Sequence, residues 1–164
     1  MKIVLGADHG GFSLKDSINQ FLVREGYQTV DYGTKTPEPC DYPRYAYKVA
    51  RAVSNKKADR GILICKSGNG MAIVANKLPG VRAAICFDKS VAALSRQHND
   101  ANVLVLGSEH LLDEPEPIVR SWLESVFEGG RHQRRVNQIS RIEKQFCQIS
   151  KTKKAVKRKV KKRR

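Results

Sequence analysis

The sequence has few cysteines and no long apolar run. Its four cysteines, Cys40, Cys65, Cys86 and Cys147, show neither a zinc-ligand spacing nor a disulfide framework. The apolar part of the segment MKIVLGADHGG is too short for a secretory signal, and no run reaches the length of a membrane span. These absences exclude a disulfide-rich secreted domain and predict a cytoplasmic protein that makes no membrane contact.

Acidic residues are also scarce, since 16 Asp and Glu stand against 31 Lys and Arg, for a net charge of +15. From Glu143 onward the chain has 11 Lys and Arg and one acid, so most of the excess is C-terminal. The stretch SKTKKAVKRKVKKRR from Ser150 has almost nothing to bury. We therefore predict a domain over residues 1–144 and a disordered basic tail over residues 145–164. The tail either keeps the protein soluble or contacts a polyanion such as RNA or DNA, but no aromatic residue follows Ser150 to stack on single-stranded bases.

Apolar runs alternate with amphipathic stretches through the first 142 residues. The apolar runs predict five short strands, at residues 2–7, 27–33, 60–65, 81–86 and 101–107. Helical periodicity fills the connections, and a last helix follows the glycine pair at 129–130. This alternation predicts an α/β fold, namely a single-domain, three-layer α/β/α sandwich around a five-stranded parallel, Rossmann-like sheet. The strand order cannot be read from the pattern.

The stretch GILICKSGNGMAIVANKLPGVRAAIC at residues 61–86 places Cys65 at the end of a buried strand, before a glycine loop. Ligands of open α/β sheets bind beyond strand carboxyl ends, so Cys65 is either a catalytic thiol or a small core hydrophobe. Three other loop chemistries fail on spacing. A Walker loop needs a second glycine where this chain has Cys65, and a dinucleotide fingerprint needs a third glycine where it has Ile73. A cysteine phosphatase loop needs an arginine where this chain has Met71.

What remains is a thiol, the hydroxyl of Ser67 and a turn containing Gly68 and Gly70. Such a turn directs several backbone N–H groups at one point, where they can stabilise a developing oxyanion. A thiolate beside such donors suits the removal of a proton next to a carbonyl group.

Five segments resemble the sugar-phosphate isomerase family that includes type B ribose-5-phosphate isomerases and galactose-6-phosphate isomerase subunits. The segments are GADHGG at 6–11, DYP at 41–43, residues 61–84, SRQHNDANVLVLG at 95–107 and FEGGRHQRRV at 127–136. The resemblance extends to about Ile142. It implies an isomerase of the pentose phosphate pathway that interconverts ribose 5-phosphate and ribulose 5-phosphate through an enediolate, without metal or organic cofactor. It also implies a homodimer with shared active sites, or a tetramer.

Residue by residue, the resemblance implies that Cys65 removes the C2 proton and that Ser67 moves protons between O1 and O2. It implies that His98, with Asp8 nearby, opens the furanose ring. The implied substrate-binding groups are His9, Arg131 and Arg135 at the phosphate, Tyr42 at the wall of the site, and Asn99 with the backbone N–H groups of Lys66, Gly68, Asn69 and Gly70 at the enediolate.

The chain departs from the family pattern at two positions near this loop. Lys66 replaces the glycine that usually follows the cysteine, and it is strained if that position needs a positive φ. Glu109 stands where many relatives carry an arginine. Met71 cannot ionise, so it cannot replace Cys65 as the base. Two alternatives stay open: an isomerase of a hexose 6-phosphate of the allose or galactose type, and a weakly active relative that binds nucleic acid through its basic tail.

Overall fold

The computed structural model describes the backbone of residues 1–161 and the side chains of residues 1–146. It divides into two compact units, Met1–Glu128 and Gly129–Arg164. The strands of the first unit are β1 (Lys2–Ala7), β2 (Gln28–Asp31), β3 (Arg60–Cys65), β4 (Ala83–Ile85) and β5 (Val103–Gly107). Its helices are α1 (Phe12–Arg24), α2 (Pro43–Ser54), α3 (Asn69–Ala75), α4 (Lys89–Asn99) and α5 (Pro115–Glu124). In the described part of the chain, no helix is both long and apolar enough to cross a membrane.

The five strands form one parallel sheet in the order β2-β1-β3-β5-β4. Ile62 of β3 is in register with Leu5 of β1 on one side and with Leu104 of β5 on the other. The chain leaves β1 toward β2 and returns to place β3 on the opposite side of β1. The strand order therefore reverses between β1 and β3, and the carboxyl ends of these strands flank the crevice where such sheets bind ligands.

Alternate residues of each strand face opposite layers of helices. Leu63 and Cys65 of β3 pack with α2 and α3, whereas Ile62 and Ile64 pack on the face that holds α1, α4 and α5, including Trp122. Each fully buried isoleucine contributes about 1.5 to 3 kcal/mol relative to an exposed one. Helices thus cover both faces of the sheet, which confirms the predicted α/β/α sandwich. Since side chains alternate along a strand, the parity of position 65 puts its thiol on the α2 and α3 side.

The described part of the second unit is α6 (Gly130–Lys161). No glycine or proline follows Gly130 in this stretch, so nothing in its sequence breaks the helix at the predicted domain boundary of residue 144. Residues 162–164 lie outside the described residues. The separate disordered basic tail stays a prediction.

Candidate active site

Three loops meet at the carboxyl edge of the sheet. They follow β1, β3 and β5 and are joined by hydrogen bonds. The N–H groups of Ser108 and Glu109 donate to the carbonyl oxygens of Cys65 and Lys66, at 2.9 and 3.1 Å. The Ser108 hydroxyl donates to the Gly10 carbonyl at 2.8 Å. These bonds fix the backbone at Cys65 and Lys66 and tie the loop after β1 to the loop after β5. Ser108 was not among the predicted site residues, although it directly follows a predicted strand.

Glycines allow these loops to approach each other closely. A Cβ atom added at Gly11 would lie 2.6 Å from the Ile64 carbonyl oxygen, and one at Gly107 would lie 2.9 Å from the Ser67 carbonyl oxygen. Real Cβ atoms do not approach backbone atoms this closely, so any side chain at either position would push the loops apart. The packing explains why the GADHGG and ANVLVLG segments both end in glycine.

The Cys65 thiol lies under the turn that begins α3. Its Sγ atom accepts the N–H of Gly68 at 3.2 Å, and the residue is 6% exposed. Gly68 has a φ of +78°, which a side chain disfavours, and a Cβ there would lie 3.3 Å from Val105 and 3.4 Å from Ile85. A donated hydrogen bond stabilises negative charge on sulfur. The predicted position of Cys65 at a strand end is confirmed, and the residue also packs within the apolar cluster of the α2 and α3 face.

The other described cysteines have different surroundings. Cys86 is fully buried on the opposite face of the sheet, and burial raises the pKa of its thiol to about 11. It therefore stays protonated at neutral pH. Cys40 is partly exposed, and its backbone N–H donates to Nδ1 of His9 at 3.2 Å.

The remaining side of the loop carries a hydroxyl and an aromatic ring. The Ser67 hydroxyl oxygen accepts the N–H of Asn69 at 3.4 Å. Tyr42 lies directly against Gly70, where an added Cβ would come within 2.5 Å of the tyrosine Cζ. The structure therefore brings Ser67, Asn69, Gly70 and Tyr42 together in and against the loop that follows Cys65.

Asp8 and His9 follow β1 at the same edge. Oδ1 of Asp8 accepts the N–H groups of Gly10 and Gly11, at 3.0 and 3.2 Å, so this carboxylate also has a structural role as a cap. Because Nδ1 of neutral His9 accepts a hydrogen bond, its proton lies on Nε2, which can donate to a phosphate oxygen. Within Met1–Glu128, no three His, Cys, Asp or Glu side chains lie close enough together to ligate one metal ion.

His98 and Asn99 lie at the opposite edge of the sheet. The 11-residue helix α4 begins beyond the carboxyl end of β4 and runs back about 16 Å toward the amino edge. There Arg82, which precedes β4, donates to the carbonyl oxygens of Asn99 and Asp100 at 2.9 and 2.7 Å. One chain therefore does not bring His98 to Asp8, because a crossover helix returns the chain to the edge where the next strand starts. The pairing of Asp8 with His98 stays a prediction.

Arg131 and Arg135 belong to the second unit. They are exposed and lie one turn apart on the same face at the start of α6. Nε of Arg131 donates to Nε2 of His132 at 3.2 Å. Their predicted role at the phosphate stays a prediction.

Lys66 and Glu109, the two departures from the family pattern, are in contact. Nζ of Lys66 lies 3.4 Å from Oε1 of Glu109. In the described part of the chain, the non-glycine residues with positive φ are Lys56 and Asp100, so the strain considered for Lys66 does not arise. The left-handed position of this turn is Gly68 instead.

Known proteins match most of this chain. Ribose-5-phosphate isomerase B of Escherichia coli is 50% identical over 143 residues, which cover 87% of this chain and 96% of that protein. The structure of ribose-5-phosphate isomerase B of Clostridium thermocellum superposes with a TM-score of 0.87 at 50% identity, covering 89% of this chain and 99% of that one. The enzyme from Mycoplasma genitalium, solved with bound ribulose-5-phosphate, gives a TM-score of 0.83 at 44% identity, covering 87% and 96% of the two chains.

A family model covers the same region. The model of the ribose/galactose isomerases matches residues 3–139, which include all five strands except the first residue of β1, and every predicted site residue. With the matching relatives and the cysteine loop at the carboxyl edge of the sheet, this establishes that the chain belongs to the ribose/galactose isomerase family.

Proposed function

We propose that this protein is an aldose–ketose isomerase that interconverts ribose 5-phosphate and ribulose 5-phosphate in the pentose phosphate pathway. The observation that carries the proposal is the Cys65 thiol, held under the Gly68 N–H where three loops meet at the carboxyl edge of the sheet. Ribose-5-phosphate isomerase B of E. coli, which is 50% identical to this chain, supports the choice of a pentose phosphate.

The reaction moves protons between neighbouring atoms of the open-chain sugar. The Cys65 thiolate removes the proton from C2, and the electron pair moves through C1 to O1 to form the enediolate. A proton then passes from O2 to O1 with the help of the Ser67 hydroxyl, and the thiol returns its proton to C1. A positioned base contributes about 10² to 10⁴-fold, and the loss of one oxyanion donor typically costs about 3 to 4 kcal/mol.

The phosphate anchors the substrate while the thiol reacts. His9 donates from Nε2, and the guanidinium groups of Arg131 and Arg135 match the geometry of phosphate oxygens. Binding far from the reacting carbons fixes C1 and C2 against the base. His98, with Asp8 nearby, opens the furanose ring: the C1 hydroxyl loses its proton as the bond from C1 to the ring oxygen breaks, and a proton is delivered to that oxygen. Asn99 donates to the enediolate.

The active site is shared between two copies of the chain in a homodimer. The position of His98 and Asn99 at the edge remote from Cys65 supports this arrangement, since one chain does not bring them to the thiol. Each site then combines Cys65 of one protomer with His98 of its partner. We further propose that the dimer acts in the cytoplasm.

The base is tested by assaying ribose 5-phosphate isomerisation by wild type, Cys65→Ala and Cys86→Ala. The last is a matched control, because it removes a buried thiol from the other face of the sheet. Cys65→Ala should lose at least about 100-fold in kcat, and Cys86→Ala should keep most of it. Turnover by Cys65→Ala near the wild-type rate would disprove the assigned base.

Allose 6-phosphate and galactose 6-phosphate in the same assay decide whether the substrate is instead a hexose phosphate.

The shared site is tested by complementation. Cys65→Ala and His98→Ala should each lose most of the activity alone, but a heterodimer has one site with both changes and one site with neither. A statistical mixture exchanged under mild denaturant should recover about a quarter of the wild-type activity. No recovery, with exchange of subunits verified by mass, would show that His98 does not act in the partner's site.

A further inference from the structure

The Lys66–Glu109 pair joins the loops that follow β3 and β5 at the carboxyl edge of the sheet. Lys66 follows Cys65 in the chain, and the loop that carries Glu109 also binds the Cys65 carbonyl group. The N–H of Glu109 donates to the Lys66 carbonyl oxygen at 3.1 Å, which holds the two backbones together. The side chains meet at their tips, at 3.4 Å, and are 62% and 57% exposed. The backbone positions are thus held by a hydrogen bond, while the charged tips face solvent.

The stem of Lys66 crosses the loop after β1. A Cβ atom added at Gly10 would lie 2.5 Å from Cγ of Lys66 and 3.4 Å from Oδ1 of Asp8. The lysine therefore occupies the space that the missing Gly10 side chain leaves, next to Asp8 and one residue from His9. Its side chain contacts all three loops that form the edge of the site.

The ion pair is weak enough to open. An exposed pair in high dielectric gains little Coulomb energy and loses side-chain entropy, so its net stability is small. A phosphate dianion carries twice the charge of a carboxylate, and Arg or Lys contacts to phosphate are among the stronger hydrogen bonds in proteins. An incoming phosphate therefore competes successfully with Glu109 for the ammonium.

We propose that Lys66 binds the phosphate of the substrate and that Glu109 holds the lysine in the free protein and releases it when the substrate enters. This rests on the proposed function, since the anion is the phosphate of an aldose phosphate. Lys66 then acts with His9, which directly precedes Gly10 in the loop after β1. Glu109 is a positioning residue whose charge lowers substrate affinity.

The test measures kcat, KM and the calorimetric Kd for ribose 5-phosphate in wild type, Lys66→Met, Lys66→Arg and Glu109→Gln. Loss of one exposed contact between unit charges near 4 Å corresponds to about fivefold in affinity. Lys66→Met should raise KM and Kd about fivefold and change kcat by less than about twofold, and Lys66→Arg should restore both constants. Glu109→Gln should lower KM and Kd, because the competing carboxylate is gone. All of these differences should shrink as salt is added.

Arg24→Met is the matched control. It breaks an ion pair with Glu116 of similar exposure, 60% and 47%, on the outer surface of α1 and α5, and it should leave KM and Kd unchanged. Unchanged KM and Kd in Lys66→Met, or an increase of both in Glu109→Gln, would overturn the inference. Wild-type turnover of ribose 5-phosphate separately decides the proposed function, since the ratios of Kd among the variants do not require turnover. Failure of the wild type to bind ribose 5-phosphate would overturn both.

Discussion

Gly68 combines a left-handed backbone conformation with a hydrogen bond to the Cys65 thiol, which makes Gly68→Ala an informative substitution. Its φ is +78°, its N–H donates to Sγ of Cys65, and a Cβ there would lie 3.3 Å from Val105. An L-residue in this left-handed region costs about 1 to 2 kcal/mol. Gly26 is the matched control, with a φ of +80° and nothing within 4 Å of an added Cβ.

Both substitutions should lower the free energy of unfolding by about 1 to 2 kcal/mol, because both impose the same backbone strain. For a protein of this size, 1 kcal/mol corresponds to about 2 to 4 °C in Tm, measured by calorimetry. Only Gly68→Ala should affect catalysis. Strain in this turn is relieved by rotating the N–H away from the sulfur, and the loss of one aimed donor typically costs about 10² to 10³ in kcat.

A wild-type kcat in Gly68→Ala with a lowered Tm would show that the aimed N–H is unnecessary for catalysis. An equal loss of activity in Gly26→Ala would show that the loss in Gly68→Ala follows from reduced stability. Assays well below both Tm values separate these outcomes.

Two further predictions concern buried titratable groups. Burial raises the pKa of the Cys86 thiol to about 11, so the stability that depends on its protonated form is present below about pH 9 and is lost as pH rises toward 11. Cys86→Ala should therefore reduce the alkaline loss of unfolding free energy by roughly 2 to 3 kcal/mol in urea titrations, and an unchanged loss would contradict the assignment. Lys15 is 1% exposed and contacts Asp31 at 2.8 Å, so Lys15→Met should destabilise the protein by about 3 kcal/mol at neutral pH. Burial raises the pKa of Asp31, but hydrogen bonds from Lys15 and Lys35 outweigh burial and lower this pKa. The stabilisation by the Lys15–Asp31 pair is therefore present above about pH 4, and the difference in unfolding free energy between wild type and Lys15→Met should narrow as pH falls further. An equal difference at pH 3 would refute the pairing.

The layers of the fold follow from local patterns, and that is why they could be predicted. Runs such as RGILIC and ANVLVLG are apolar on both faces, which identifies strands buried between two layers of helices. The position of Cys65 at a strand end needs only the boundary between such a run and the glycines that follow. Tyr42 was placed near the loop by the family resemblance alone, and its contact with Gly70 was not visible in the sequence.

The contacts between distant loops could not be predicted in the same way. The hydrogen bond from Ser108 to Gly10 joins residues 98 positions apart. The Lys66–Glu109 pair joins the loops after β3 and β5, which are neighbours only because of the strand order. The family pattern left open whether position 66 needs a positive φ, and only the structure shows that the left-handed residue of this turn is Gly68. Each of these features depends on how the elements pack, which local periodicity does not encode.

The amino-acid sequence by itself determined the alternation of strands and helices, the glycine loop after a buried strand and the thiol at its start, because each depends on neighbouring residues alone. Only the tertiary structure decided that β3 lies beside β1 and β5, so that three loops enclose Cys65. It also decided that His98 lies at the other edge of the sheet, since the direction of α4 follows from the crossover between β4 and β5. Long-range packing sets which strand ends become neighbours, and no local pattern in the chain specifies it.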